Sequence, residues 1–261
     1  MSGSALAPIL ETRGLSIRFG GQIAVDQVSC AFHSGTLTAI VGPNGAGKTT
    51  YFNLISGQLR ATSGDVFLRG ARITGMAAPL RARRGLGRAF QLTNLFPDLT
   101  VLENVRLAVQ ARAGIGLHAL GLASDHVDLI ERARFYLNRV RLTPRADAAA
   151  AALNHGDQRK LEVAILLALE PAVFMFDEPT AGMSVDEVPV ILDLIEAIKA
   201  DGDKTILLVE HKMDVVRRLA DRVIVLHQGA LVADGEPAEV VASAIVQEAY
   251  LGVRRSEAAH G

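Results

Sequence analysis

The chain has 261 residues, 49% of them hydrophobic, enough for one large α/β domain or for a core with a smaller lobe. A formal net charge of −1 gives no overall electrostatic footprint for nucleic acid, and no apolar run approaches the roughly 18 residues of a membrane span, since the richest, Val163 to Phe176, is broken by Glu170 and Pro171. Met1 to Pro8 holds no cationic stretch followed by an apolar one, so a soluble, cytosolic chain without a signal peptide is expected, and the single cysteine, Cys30, excludes an intramolecular disulfide and reads as a small core residue.

Residues 9 to 41 form short β-branched and apolar runs, Leu15 to Phe19, Ile23 to Cys30 and Leu37 to Val41, separated by Gly20-Gly21 and Ser34-Gly35, which predicts a strand-rich beginning. The last run leads into Gly42-Pro43-Asn44-Gly45-Ala46-Gly47-Lys48-Thr49, and a helix-compatible stretch, Thr50 to Ser56, follows. This is a phosphate-binding loop in its proper setting. Its glycines let successive backbone N–H groups turn inward toward a triphosphate, and the helix beginning at Lys48 adds its positive end. Lys48 would reach the β- and γ-phosphates and Thr49 would place its hydroxyl on Mg²⁺, with Thr50 closing the set of ATP contacts. With glycine near 7% of residues, a chance match to this pattern is on the order of a percent.

Beyond the loop, Asp65 to Leu68 and Gly85 to Phe90 read as strands. Arg81, Arg83, Arg84 and Arg88 between and within them are the only basic concentration, expected to be a solvated helix face, with a protein contact as the second reading. From Thr100 to Val140 the apolar spacing becomes helical, with Gly114 to Ser124 as a flexible connection and Ala148 to Ala152 as helix or linker. Gly156 onward reads helix, strand (Ala172 to Phe176), helix (Asp186 to Ala200), strand (Lys204 to Val209), helix (Met213 to Ala220), strand (Arg222 to Leu226), a hairpin turn at Gln228-Gly229, and a final helix, Pro237 to Leu251. Such alternation implies a parallel sheet covered by helices.

Asp177 and Glu178 end an apolar run, as at the C-terminal edge of a buried parallel strand. Because neighbouring strand residues point opposite ways, Asp177 could hold the Mg²⁺ shell while Glu178 faces an attacking water. His211 lies at another such edge. Leu153-Asn154-His155-Gly156-Asp157-Gln158 opens the helix before Ala172. Taken with the phosphate loop and Asp177-Glu178, it resembles the signature motif of ATP-binding cassette (ABC) ATPases, usually Leu-Ser-Gly-Gly-Gln.

The resemblance covers nearly the whole chain in order. It implies that Phe19 stacks on adenine, that Gln91 joins the core to the helical lobe and belongs with the catalytic and metal-binding residues, that Ala181 to Ser184 cross a dimer interface, and that His211 touches the γ-phosphate. Asn154, Gly156 and Gln158 would contact the partner's ATP. Gly87 to Gln91, Gly156 to Glu162, Thr180 to Met183 and Ala249 to Gly252 are similar to the ATPase subunits of branched-chain amino-acid importers. Asn154 stands where a serine is usual and Ser184 where an aspartate is common.

The fold so implied is an α/β P-loop NTPase core of ABC type, with an N-terminal antiparallel β subdomain and an inserted α-helical subdomain. As one domain over 9–252, its core would be 9–91 and 153–235, its helical part 92–152, and its C-terminal helix 236–252. The function implied is ATP hydrolysis, with Mg²⁺, driving a membrane importer from the cytoplasmic face of the inner membrane. The partners would be a second ATPase subunit and transmembrane permease subunits, contacted near Gln91 by Leu92, Leu95, Phe96 and Pro97. Those apolar residues could instead be lobe core. A lipid or lipopolysaccharide exporter would share the same enzyme, whereas a non-transport ABC protein would typically carry a coiled-coil insertion or a second cassette.

Overall fold

The computed structural model describes residues 7–89, 95–114 and 127–243. In chain order the elements are β1 (Leu10–Phe19), β2 (Gln22–Phe32), β3 (Leu37–Val41), α1 (Lys48–Ser56), β4 (Ser63–Leu68), β5 (Ala71–Arg72), α2 (Ala78–Arg83) and β6 (Leu86–Ala89). There follow α3 (Val101–Arg112), α4 (Val127–Arg139), α5 (His155–Ala168), β7 (Val173–Asp177), α6 (Val188–Ala200), β8 (Thr205–Val209), α7 (Met213–Leu219), β9 (Arg222–His227), β10 (Ala230–Gly235) and α8 (Pro237–Ala242). They divide into two compact units, Met1–Ala78 with Thr205–Gly261, and Pro79–Lys204.

In the first unit an antiparallel sheet runs in the order β2-β1-β4-β5. Its inward residues, among them Leu10, Leu15, Val25, Val28 and Phe32, are buried. Cys30 is buried with them, and loss of solvent pushes its thiol up to about 11, which suits an inert core residue. In the second sheet of this unit β3 lies between β8 and β9, parallel to both, and β10 returns antiparallel to β9. Every residue of β3 and β8 is buried, which is why each is a near-continuous apolar run, with only Thr38 and Thr205 polar, instead of an alternating one. The predicted turn at Gln228-Gly229 is present, with both residues at positive φ, as a tight two-residue hairpin turn requires. Ala39, Val41, Val223 and Val225 meet Val216 of α7 and Val240 of α8 in one apolar cluster.

In the second unit β6 pairs parallel with β7, and α3, α4 and α5 pack against one another. Thr100 caps α3 by accepting from the Glu103 N–H at 3.1 Å. Buried Asn104 ties the preceding turn down, accepting from Phe96 N and donating to Phe96 O and Thr100 O. Ala150–Ala152 is a single 3-10 turn.

Two expectations need correction. The basic cluster is a solvated face only in part: Arg83 and Arg84 are exposed, but Arg81 is 1% exposed, with burial pulling its guanidinium down to about 10, and the Arg88 side chain is drawn into an ion pair described below. The expected helix over 237–251 is not continuous: α8 ends at Ala242, where Ser243 is extended and its N–H and hydroxyl both donate back to Val240 O, and 244–251 lie outside the described residues. Most of the expected flexible connection (115–124), Phe90, Gln91, Leu92 and the 249–252 stretch lie outside the described residues.

Candidate nucleotide-binding and hydrolysis site

The loop from Gly42 to Gly47 delivers β3 into α1. Gly47 is the N-cap, at φ 97°, and a β-carbon there would collide with the Ala24 carbonyl, so only glycine fits. No side chain caps α1 and no acid lies in its first turn, which leaves the positive end of the helix to an incoming anion. The loop is braced from behind, with Gly229 N donating to Ala46 O at 3.0 Å and Asp26 N to Gly229 O at 2.8 Å. Lys48 is 7% exposed, and its Nζ donates to Gly42 O at 2.7 Å and Pro43 O at 2.9 Å. The ammonium is thus folded over the loop, while Asn44, Gly45 and Thr49 are exposed, Ala46 is buried, and Pro43 and Thr50 are half-buried.

Phe19, the last residue of β1, is 52% exposed, which removes the core reading of its ring. His211 follows β8 by two residues and is exposed. Glu210 between them is fully buried, and its Oε2 accepts from the N–H groups of His211 (2.8 Å) and Lys212 (3.1 Å). That carboxylate fixes the turn from which His211 projects, a role the sequence reading did not assign.

In the second unit Asp177 closes the fully buried β7. Arg88 Nη2 donates to its Oδ2 at 2.8 Å, with the two side chains 9% and 4% exposed. Burial pulls the Arg88 guanidinium down and the facing carboxylate resists that fall. Glu178 is half-buried at φ +48°, outside the strand. Strand alternation therefore does not set its direction as expected; a left-handed residue after the last strand position does.

Asn154 caps α5, its Oδ1 accepting from Asp157 N at 2.7 Å, and Gln158 Nε2 donates to Leu153 O at 3.1 Å. A β-carbon at Gly156 would meet the Glu187 carboxylate, so a larger residue at the start of α5 would have to push that side chain aside. The N–H and hydroxyl of Ser184 both donate to Glu187 Oε2, at 3.1 and 3.0 Å, and hold that carboxyl below its ordinary value. Sequence reasoning missed Glu187; its spacing of three from Ser184, as in a capping box, was the available signal. Phe96 is 54% exposed and Pro97 exposed, so neither is lobe core, while Leu95 is half-buried.

Among the described residues no three His, Cys, Asp or Glu side chains gather as a metal cage. A hydroxyl (Thr49) and a carboxylate (Asp177) are hard oxygen donors of the kind that hold Mg²⁺ together with substrate phosphates and water.

Residues 25–181 match the sequence model of the family described as ABC transporter. The high-affinity branched-chain amino acid transport ATP-binding protein LivG of Salmonella typhimurium is 37% identical over 251 residues, 94% of this chain and 98% of the relative. BraF of Pseudomonas aeruginosa, similarly described, is 37% identical over 251 residues with the same coverage. The crystal structure of an ATP-binding cassette of an ABC transporter in its ADP conformation superposes with a TM-score of 0.80 at 29% identity, covering 94% of this chain and 99% of that one. A glycine-cornered loop opening an uncapped helix, a carboxylate closing a buried parallel strand, and likeness along nearly the full length lead to one conclusion: the chain belongs to the ABC transporter family, as an ATP-binding cassette.

Proposed function

We propose that this cassette is the ATP-hydrolysing subunit of an importer for branched-chain or related amino acids, acting as one ABC ATPase domain over residues 9–252. The observation that carries the reading is the 37% identity to LivG across 94% of the chain. Phe19 stacks on the adenine. The loop amides and α1 receive the phosphates, and Lys48 moves from the Gly42 and Pro43 carbonyls to the β- and γ-phosphates. Thr49, Gln91 and Asp177 hold Mg²⁺, which when bound neutralises phosphate charge. Glu178 polarises the attacking water, and His211 contacts the γ-phosphate. In a dimer of two such subunits, Asn154, Gly156 and Gln158 of each complete the other's site. No described helix is long and apolar enough to cross a membrane, so separate permease subunits supply the pathway, docking near Gln91 and the exposed Phe96.

Affinity isolation of the chain from membranes tests this. Permease subunits should co-purify, and the reconstituted assembly should hydrolyse ATP faster when a branched-chain amino acid is delivered on its binding protein. Recovery of a lipid-export permease would replace the importer reading.

Two substitutions probe the assigned contacts. Phe19→Ala should weaken ATP binding by roughly 1–3 kcal/mol, the worth of a base-aromatic stack, and barely change melting temperature without nucleotide, because the ring is half exposed already. Calorimetric titration checks it. Asn154→Ala should remove the α5 cap, costing about 1 kcal/mol of stability. It should also lower turnover in the assembled transporter tenfold to a hundredfold, roughly one charge-assisted hydrogen bond of 1.5–3 kcal/mol. Asn154→Ser should preserve both. Unchanged turnover in the alanine variant, beside a lowered melting temperature, would reduce Asn154 to a cap.

A further inference from the structure

The start of α5 already faces an anion, and that anion belongs to the chain itself. In the first turn the Asp157 N–H is taken by the Asn154 side chain, whereas the Gly156 N–H is met by the carboxylate of Glu187, from the residue that precedes α6. Oε2 of Glu187 accepts from the N–H and the hydroxyl of Ser184, at 3.1 and 3.0 Å, and Oε1 lies where a β-carbon of residue 156 would stand. Hydrogen bonds from Ser184, and then from the Gly156 N–H, hold the carboxyl below its ordinary value, as expected of a negative charge at the positive end of a helix. Asp157, the acid in α5's own first turn, is paired with Lys160 at 2.7 Å, so the anion at the Gly156 amide comes from outside the helix. We propose that Glu187 is an internal stand-in for the partner's γ-phosphate: it occupies the Gly156 amide while the subunits are apart, and it is displaced when that amide completes the partner's ATP site.

This rests on the reading of α5 as completing the partner's site. One N–H cannot serve two anions at full strength, and a carboxylate and a phosphate brought to the same amide repel each other. Closure of two subunits is then an exchange of one anion for another, and only chains whose α5 start is open are competent to close, which raises the ATP concentration that closure needs. Release is not prohibitive. Asn154, His155 and Ser184 are exposed and Glu187 is half-buried, so an incoming phosphate can reach the contact and water can take up the freed carboxylate. Serine at 184 suits the contact, since its hydroxyl donates to Glu187 where an aspartate would repel it. Ser184 also ends the stretch expected to cross the dimer interface, so a single side chain links the state of that loop to the state of the phosphate contact.

The test uses the full chain carrying Glu178→Gln, so that bound ATP is not consumed. It is titrated with ATP and Mg²⁺ while light scattering follows its mass, alone and with the ATPase subunit recovered beside the permease. Adding Glu187→Gln keeps the shape and removes the charge. The ATP concentration for half-maximal pairing should fall about tenfold, as when the competent fraction rises from roughly a tenth to nearly all. Without nucleotide the same variant should melt slightly lower, because the Ser184 bonds then end on a neutral acceptor. Easier pairing beside a weakened free chain is what a simple brace would not produce. An unchanged or raised ATP requirement would make Glu187 a brace and overturn the proposal. So would an equal fall in Asp186→Asn, which removes the neighbouring exposed charge and would show a general effect of net charge. Asn154→Asp separates the two levels, since aspartate caps a helix as well as asparagine does but sets a negative charge beside the expected phosphate. It should raise the ATP requirement at least about tenfold. If it pairs as readily as its parent, or if no preparation pairs on adding ATP, the reading of α5 falls and the proposal with it; if it pairs poorly while Glu187→Gln brings no gain, only the stand-in role falls.

Discussion

Lys48→Ala is expected to abolish ATP binding at millimolar nucleotide. The ammonium is almost enclosed and already committed to two carbonyls of its own loop, at 2.7 and 2.9 Å, so it is presented at the loop's centre and not at the end of a free, mobile chain. Exchanging those carbonyls for β- and γ-phosphate oxygens replaces neutral acceptors by charged ones. At roughly 1.5–3 kcal/mol for each bond between charged partners, two such bonds correspond to about a 10²- to 10⁴-fold loss of affinity. The fold should survive. Alanine is the best helix former, and α1 has a left-handed glycine at each end to define it. What is lost is the pair of bonds to Gly42 and Pro43, a destabilisation of about 1–3 kcal/mol readable as a few degrees of melting temperature. Titration of ATP at fixed Mg²⁺, with circular dichroism alongside, checks both parts. Wild-type affinity in the folded variant would take Lys48 out of the site.

The parts of this molecule that were legible in its sequence are those written in local runs. β3, β7 and β8 are buried on both faces, so each is a near-continuous apolar stretch, departing from it only at Thr38, Asp177 and Thr205, that needs no partner to be recognised. The phosphate loop declares itself by glycines whose backbone conformation is dictated within eight residues. Asn154 is a preferred capping residue placed directly before a helix, and the structure uses it as one. The errors come from information that spans elements. Arg81 and Arg88 look like a charged surface in one dimension, because nothing nearby in sequence announces that Arg88 will stand beside Met175 in a parallel pair and reach Asp177. Glu210 lies just past the expected strand, Lys204 to Val209, and is a buried acceptor for the two amides after it, a function invisible without knowing that its side chain turns inward. The end of α8 at Ser243 has a similar origin: a small hydroxyl side chain closes the helix by bonding back to Val240, where apolar periodicity alone would carry the helix onward.

Glu178→Gln is expected to lower hydrolysis by about 10² to 10⁴ while leaving ATP binding intact, the usual range for loss of a general base. The backbone makes glutamine the right replacement. Glu178 holds a φ of +48° despite carrying a β-carbon, a conformation that costs roughly 1–2 kcal/mol and persists only because its surroundings impose it. Glycine would relax that conformation, and a β-branched residue would strain it further. Glutamine keeps the shape and the half-buried side-chain volume and removes only the negative charge that accepts a proton from water. Binding should be spared because the phosphate contacts belong to Lys48 and to the loop and helix that begin at Gly42, on other elements. With ATP bound and not consumed, two subunits that each complete the other's site should remain closed, so size measurement with ATP and Mg²⁺ should show a lasting dimer where the wild-type chain shows a transient one. Near-normal turnover of folded Glu178→Gln would place the base on another residue. Loss of turnover together with ATP affinity would mean that Glu178 shapes the nucleotide site and does not activate water.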